Sequence, residues 1–161
     1  MDIRGLVKAE KDIKQPGRWT TGTMPKTAFP LSKSGSKAYR LGNRRWRVVT
    51  FEVAGLECRL LINYHPMLLQ YQAMLGIDIG GDTKVLASLE LHPTHGGWHI
   101  HASCDDIASV PSGLKRGPWN KGLSGSGPRF RTPCPDTDEA AFHRAVSFFR
   151  LDRTSGEGGL L

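Results

Sequence analysis

Four of the six histidines fall within ten residues: His92, His95, His99 and His101, with Glu90 just ahead of them. Two of them form the triplet His99-Ile100-His101, directly after Gly96-Gly97-Trp98. Residues two apart on a strand share a face. On extended backbone, His99 and His101 therefore point one way, as do Glu90 and His92 on the preceding segment. Imidazoles gathered on one face bind divalent ions or move protons near neutral pH.

A hairpin through Pro93-Thr94-His95-Gly96-Gly97 would bring the two segments together. The predicted register sets His92 opposite His99, Glu90 opposite His101 and Ser88 opposite Ser103, because residues opposed across an antiparallel pair project to the same face. A slip of one residue would dissolve the resulting square of Glu90, His92, His99 and His101. Three chemistries suit such a square. One is a metal site for a single Zn, Mn or Fe ion with an open position for water. Another is metal-free acid–base catalysis, with one histidine taking a proton from a ribose 2′-hydroxyl and another protonating the leaving oxygen. The third is a polar surface without catalytic use.

The run Gly97-Trp98-His99-Ile100-His101 resembles the His-hydrophobic-His strand of the HUH endonucleases. That resemblance implies a divalent ion on His99 and His101 and a tyrosine nucleophile acting on single-stranded DNA. No tyrosine follows His101; Tyr39, Tyr64 and Tyr71 all precede it. A relaxase-like arrangement would therefore draw on Tyr64 or Tyr71, although Tyr71 sits in an apolar alternation suited to a core. The His-x-His strand is also similar to that of cupins, with Asp106 and Gly113 near the expected acid and glycine, but the second half of the cupin motif is absent.

Five alternating runs must position these groups. They cover residues 45–53, with Val49, Phe51 and Val53 on one face; 56–64; 69–75; 84–92; and 98–103. In the fourth run Val85, Ala87, Leu89 and Leu91 are expected on the core side, with Ser88, Glu90 and His92 opposite. Near the C-terminus, Phe142, Ala145, Val146 and Phe149 recur at helical spacing behind an Asp136–Glu139 capping box. The expected fold is α+β: a roughly five-stranded antiparallel meander over about residues 46–104, one C-terminal helix packed on a face, and an irregular basic N-terminal arm. Residues 1–45 form that arm, 46–152 a single domain, and 153–161 a flexible tail. Within the domain, residues 105–135 are rich in Gly and Pro and read as a long basic loop, placed to fold over the histidines as a flap.

Charge is segregated. Residues 1–47 hold twelve Lys and Arg against three acids, a net +9, whereas residues 48–161 are net −2. A basic segment of this kind tracks phosphates. Arg40, Arg44, Arg45 and Arg47, with Lys115, Arg116 and Lys121 from the loop, are the candidate nucleic-acid contacts. Trp19, Phe29 and Tyr39 serve the arm either as anchors or as stacking platforms for bases. The three cysteines, Cys58, Cys104 and Cys134, are odd in number and lie far apart, which excludes a disulfide framework or a Cys-x-x-Cys zinc ribbon. No apolar run spans a bilayer and no secretory signal is evident, so a cytoplasmic protein without membrane association is expected.

These features together predict a small nuclease that cleaves RNA or single-stranded DNA rather than duplex DNA. Glu90, His92, His99 and His101 would be the reacting groups, and Lys115 or Arg116 would stabilise transition-state charge. By analogy, such a protein suits the toxin of a toxin–antitoxin pair, with an acidic antitoxin as partner. Two other readings remain open: a non-catalytic nucleic-acid-binding module, and a basic interaction or inhibitory protein that folds on an acidic partner.

Overall fold

The computed structural model describes residues 1–31, 38–94, 97–104, 106–112, 117, 119–123 and 131–152, with Ala38 and Arg40 described by backbone alone. A six-residue helix α1 (Ile3–Lys8) leads into strands β1 (Asp12–Gln15) and β2 (Thr20–Pro25). The meander follows: β3 (Ala38–Val53), β4 (Leu56–His65), β5 (Gln70–Ile79), β6 (Asp82–Leu91), β7 (His99–Ala102) and β8 (Trp119–Gly122). Helix α2 (Asp138–Phe149) closes the described chain. All strands join one antiparallel sheet in the order β1-β3-β4-β5-β6-β7-β8, with β2 also on β3.

The α+β meander with a C-terminal helix matches expectation, but among the described residues the sheet has eight strands, not five. The extra three are β1, β2 and β8, and all lie at the sheet's margins. Their side chains are mostly exposed, so they carry no apolar alternation; backbone pairing alone makes them strands. The N-terminal arm is not irregular. β1 and β2 pair with opposite ends of the long β3, through Asp12↔Glu52 and Met24↔Tyr39, and β3 begins eight residues before Trp46. The loop expected over 105–135 likewise contains β8, which pairs with the histidine strand β7.

Both faces of the sheet are covered. Ala145, Val146 and Phe149 of α2 pack on a first core built from Val49, Phe51, Leu60, Ile62 and Tyr71. The second face carries Trp46, Leu61, Met74 and Val85, and beneath Met24, Phe29 and Leu31 it forms a smaller core. Phe29 is fully buried, and Trp19 meets Tyr64 edge-to-face at 5.5 Å. The arm's aromatics thus act as anchors.

Val85 departs from the expected alternation. Leu75 pairs with Ala87 but Gly76 pairs with Val85, leaving Leu86 as the extra residue of a β-bulge. The bulge turns Leu86 into the first core and Val85 into the second. Gly76 is needed there, since a Cβ would lie 2.4 Å from the Thr83 side chain. Gly80 and Gly81, both at positive φ, make the two-residue turn from β5 to β6.

The cap of α2 is Thr137, not Asp136: its hydroxyl accepts from the Ala140 amide at 3.1 Å. Asp138, in the first turn, anchors the helix to the sheet. It accepts from Arg45 Nε at 3.0 Å and from the Tyr64 hydroxyl at 2.8 Å, and Arg45 Nη2 closes a second bond. The Arg45 guanidinium, and after it the Tyr64 hydroxyl, hold the Asp138 carboxyl below its ordinary value of 3.8 against the opposing effect of burial. A carboxylate depressed in the folded state contributes stability above its unfolded pKa and loses it as pH falls through the folded one. Asp138→Asn is therefore expected to flatten the fall in stability below about pH 4, as followed by urea unfolding at stepped pH.

Candidate metal centre

The register of five strands draws a row across the second face, polar on the first four. Asn63 of β4 pairs with Gln72 of β5, Gln72 with Glu90 of β6, Glu90 with His99 of β7, and His99 with Gly122 of β8. The adjacent row runs through Met74, Ser88, His101 and Asn120. The hairpin register thus differs from expectation by two residues: Glu90 faces His99 and Ser88 faces His101. Because the side-chain period is two, the shift keeps all four groups on one face. His92 moves beyond the paired ladder, and Ser103, no longer opposite Ser88, bonds the Leu86 carbonyl through its backbone N–H.

Glu90, His99 and His101 converge. One ligand atom from each lies within 4.8 Å of the others, with Glu90 and His99 buried and His101 half-buried. The Nε2 atoms of His92 and His99 each lie 3.8 Å from Glu90 Oε2. The His99 ring stands edge-on to those of His92 and His101, at 4.8 and 5.3 Å between centroids.

Neighbouring groups set the orientation of His99 and Glu90. His99 Nδ1 lies 3.1 Å from the Gly97 carbonyl. A carbonyl only accepts, so Nδ1 carries the proton, and it is Nε2 that faces Glu90. This carbonyl–imidazole arrangement is the one that orients metal-ligating histidines. Behind the strand, Trp98 is buried against Tyr71, edge-to-face at 5.1 Å, and its indole donates to the Thr132 carbonyl at 2.9 Å. With Trp98 pinned on one face, His99 is held on the other. Beside His99, a Cβ on Gly122 would meet nothing within 4 Å among the described residues.

Glu90 is oriented by a hydrogen-bonded chain that the sequence reading missed. Its Oε1 accepts from Ser88 Oγ at 2.6 Å and Gln72 Nε2 at 3.2 Å. Gln72 Oε1 accepts from Asn63 Nδ2 at 3.2 Å, and Asn63 Oδ1 from Arg44 Nη1 at 3.0 Å. Arg44 also donates to Gln70 Oε1. A guanidinium has no acceptor, so Arg44 sets the direction of the whole chain. Each amide turns its oxygen toward Arg44 and its NH2 toward Glu90, which leaves Oε2 as the oxygen directed at the histidines. Asn63 and Gln72 fall on the polar phase of their runs, and nothing in the sequence shows that residues 24–31 cover part of this face.

The candidate nucleic-acid contacts are dispersed. Arg45 serves Asp138 and Thr21. Arg47 donates to the Pro16 carbonyl and stacks 3.7 Å over the Phe142 ring. Arg44 joins the polar chain. Lys121 is exposed on β8. The Arg40 side chain, Lys115, Arg116, His95 and the tail from residue 153 lie outside the described residues, as does Gly113.

Tyr64 and Tyr71 face the first core, away from the histidines, with their hydroxyls on Asp138 and the Ala141 carbonyl. Burial pushes both phenols well above their ordinary range. Neither is placed as the nucleophile that the HUH resemblance implies. Cys58 and Cys134 are buried thiols, raised by burial to about 12 and about 11.

The chain matches no known family model, no curated protein and no solved structure. No helix among the described residues is long and apolar enough to cross a membrane.

Proposed function

We propose that the chain is a small metal-dependent nuclease acting on RNA or single-stranded DNA, with Glu90, His99 and His101 holding one Zn, Mn or Fe ion. The observation that carries this reading is the convergence of those three groups, two of them oriented by hydrogen bonds that favour ligation. Two imidazoles and a carboxylate leave coordination positions open, and a bound ion would polarise a phosphoryl oxygen and acidify water. Gly122 keeps the space beside His99 clear for substrate. His92 stands next to Glu90 and His99, outside the ligand group, where it reaches the same substrate. A net charge of +7, with Lys121 exposed on the strand beside the site, favours a polyanion.

Metal analysis of the purified protein is expected to find about one equivalent of a transition metal, lost in the His99→Ala/His101→Ala double variant. Wild type is expected to cleave RNA or single-stranded DNA with Zn, Mn or Fe and to stop with chelator. Cleavage that persists in both the double variant and chelator would refute the proposal. Metal binding without cleavage would leave a metal-containing nucleic-acid-binding module.

A further inference from the structure

A cleft lies on the opposite face of the sheet from the histidines. It holds about 400 Å³. Its floor is the apolar side of β6 and β7, through Ala87, Ile100 and Ala102. Its walls are Ile3 and Val7 of α1 and Phe148 and Phe149 of α2, and Trp119, itself 43% exposed, also lines it. Arg4, Lys8 and Arg150 also line it, and its described lining contains no acidic side chain.

Arg150 occupies an expensive position. It caps α2 at φ 55°, ψ 44°, in the left-handed region where a helix end ordinarily carries glycine. A cation kept there, at the edge of an apolar cleft, complements a negative charge. Lys11, the other lysine near α1, is buried and spends its ammonium on the carbonyls of Leu6, Val7 and Ala9.

We propose that this cleft binds a small amphipathic anion: an aromatic or alkyl body of about a dozen carbon atoms with one carboxylate or phosphate head. A cleft of this size matches ordinary small-molecule sites. At ~30 Å³ per water-sized volume it accommodates roughly that many heavy atoms. The body lies against Ile100, Phe148 and Trp119, and the head is held by Arg4 and Arg150, whose planar donors suit either anion.

Isothermal titration of the full chain with 1-naphthoate is expected to show saturable binding with a Kd of about 1 mM or tighter. The uncharged 1-naphthalenemethanol should bind about tenfold more weakly, and Arg4→Gln/Arg150→Gln should weaken the carboxylate to a similar degree. 1-Naphthyl phosphate in the same assay identifies which head the site prefers. Arg150→Gly should raise Tm by about 2–4 °C while weakening binding, because it relieves the left-handed residue and removes a cation. Binding that is absent, equal for the alcohol, or unchanged in the double variant overturns the proposal. His99→Ala/His101→Ala should leave naphthoate affinity intact, so failure here and failure of the metal centre read out separately.

Discussion

Glu90→Gln is expected to abolish most metal loading while leaving the sheet folded. Glutamine keeps the carboxylate's shape, and its amide oxygen still accepts from Ser88 and Gln72, which bond Glu90 Oε1. What it removes is the anionic oxygen directed at His99 and His101. Loss of a supporting neighbour alone typically costs 10–100-fold in metal affinity, so loss of the ligand should cost about 100-fold or more. At a free metal concentration about 1,000 times Kd, wild type gains ~4.1 kcal/mol of stability from binding. A hundredfold weaker variant gains only ~1.4 kcal/mol under the same conditions. For a chain of this length the difference is roughly 5–11 °C in Tm. In chelator the order should reverse or vanish, because the metal's contribution is then lost to both proteins while glutamine removes a charge from a side chain that is 2% exposed. Thermal melts of both proteins, with and without metal, test this crossing. A residue of purely structural value would lose stability equally in both conditions.

Asn63→Leu is expected to weaken metal binding about 10–100-fold although Asn63 touches no ligand histidine. Asn63 is buried and joins Arg44 to Gln72. Leucine leaves Gln72 Oε1 without its donor, at a cost of about 1–3 kcal/mol. More importantly, it frees Gln72 to turn and present oxygen rather than NH2 to Glu90. Asn63→Asp separates the two effects. An aspartate accepts from Arg44 as well as asparagine does, but it cannot donate to Gln72. If Arg44 acts through the direction of the chain, Asn63→Asp should impair metal affinity as strongly as Asn63→Leu while largely keeping stability. If Asn63 only fills space, Asn63→Asp should bind metal like wild type. Competition titration with a chromophoric chelator measures both.

The strands that bury one face were legible because burial writes itself into alternation: Val49 and Phe51, Leu60 and Ile62, Leu89. The helix stripe of α2 was legible for the same reason at a different period. β1, β2 and β8 were not, since edge strands need only backbone pairing and leave no apolar mark. Val85 was misplaced because a bulge at Leu86 breaks the period within one strand. The helix cap was one residue off, because Asp136 and Thr137 are both competent acceptors and only backbone geometry selects between them.

The sequence by itself determined that His99 and His101 share a face, because spacing of two on extended backbone leaves no other outcome. The tertiary structure alone decided that Glu90 faces His99, that Glu90 converges with His99 and His101, and that Arg44 is hydrogen-bonded into the chain that ends on Glu90. Those facts depend on pairing between strands far apart in the chain and on the burial of the second face. Residues 24–31 cover part of that face, and the buried Asn63 must satisfy its hydrogen bonds internally. That requirement ties Arg44 to Glu90 across four strands.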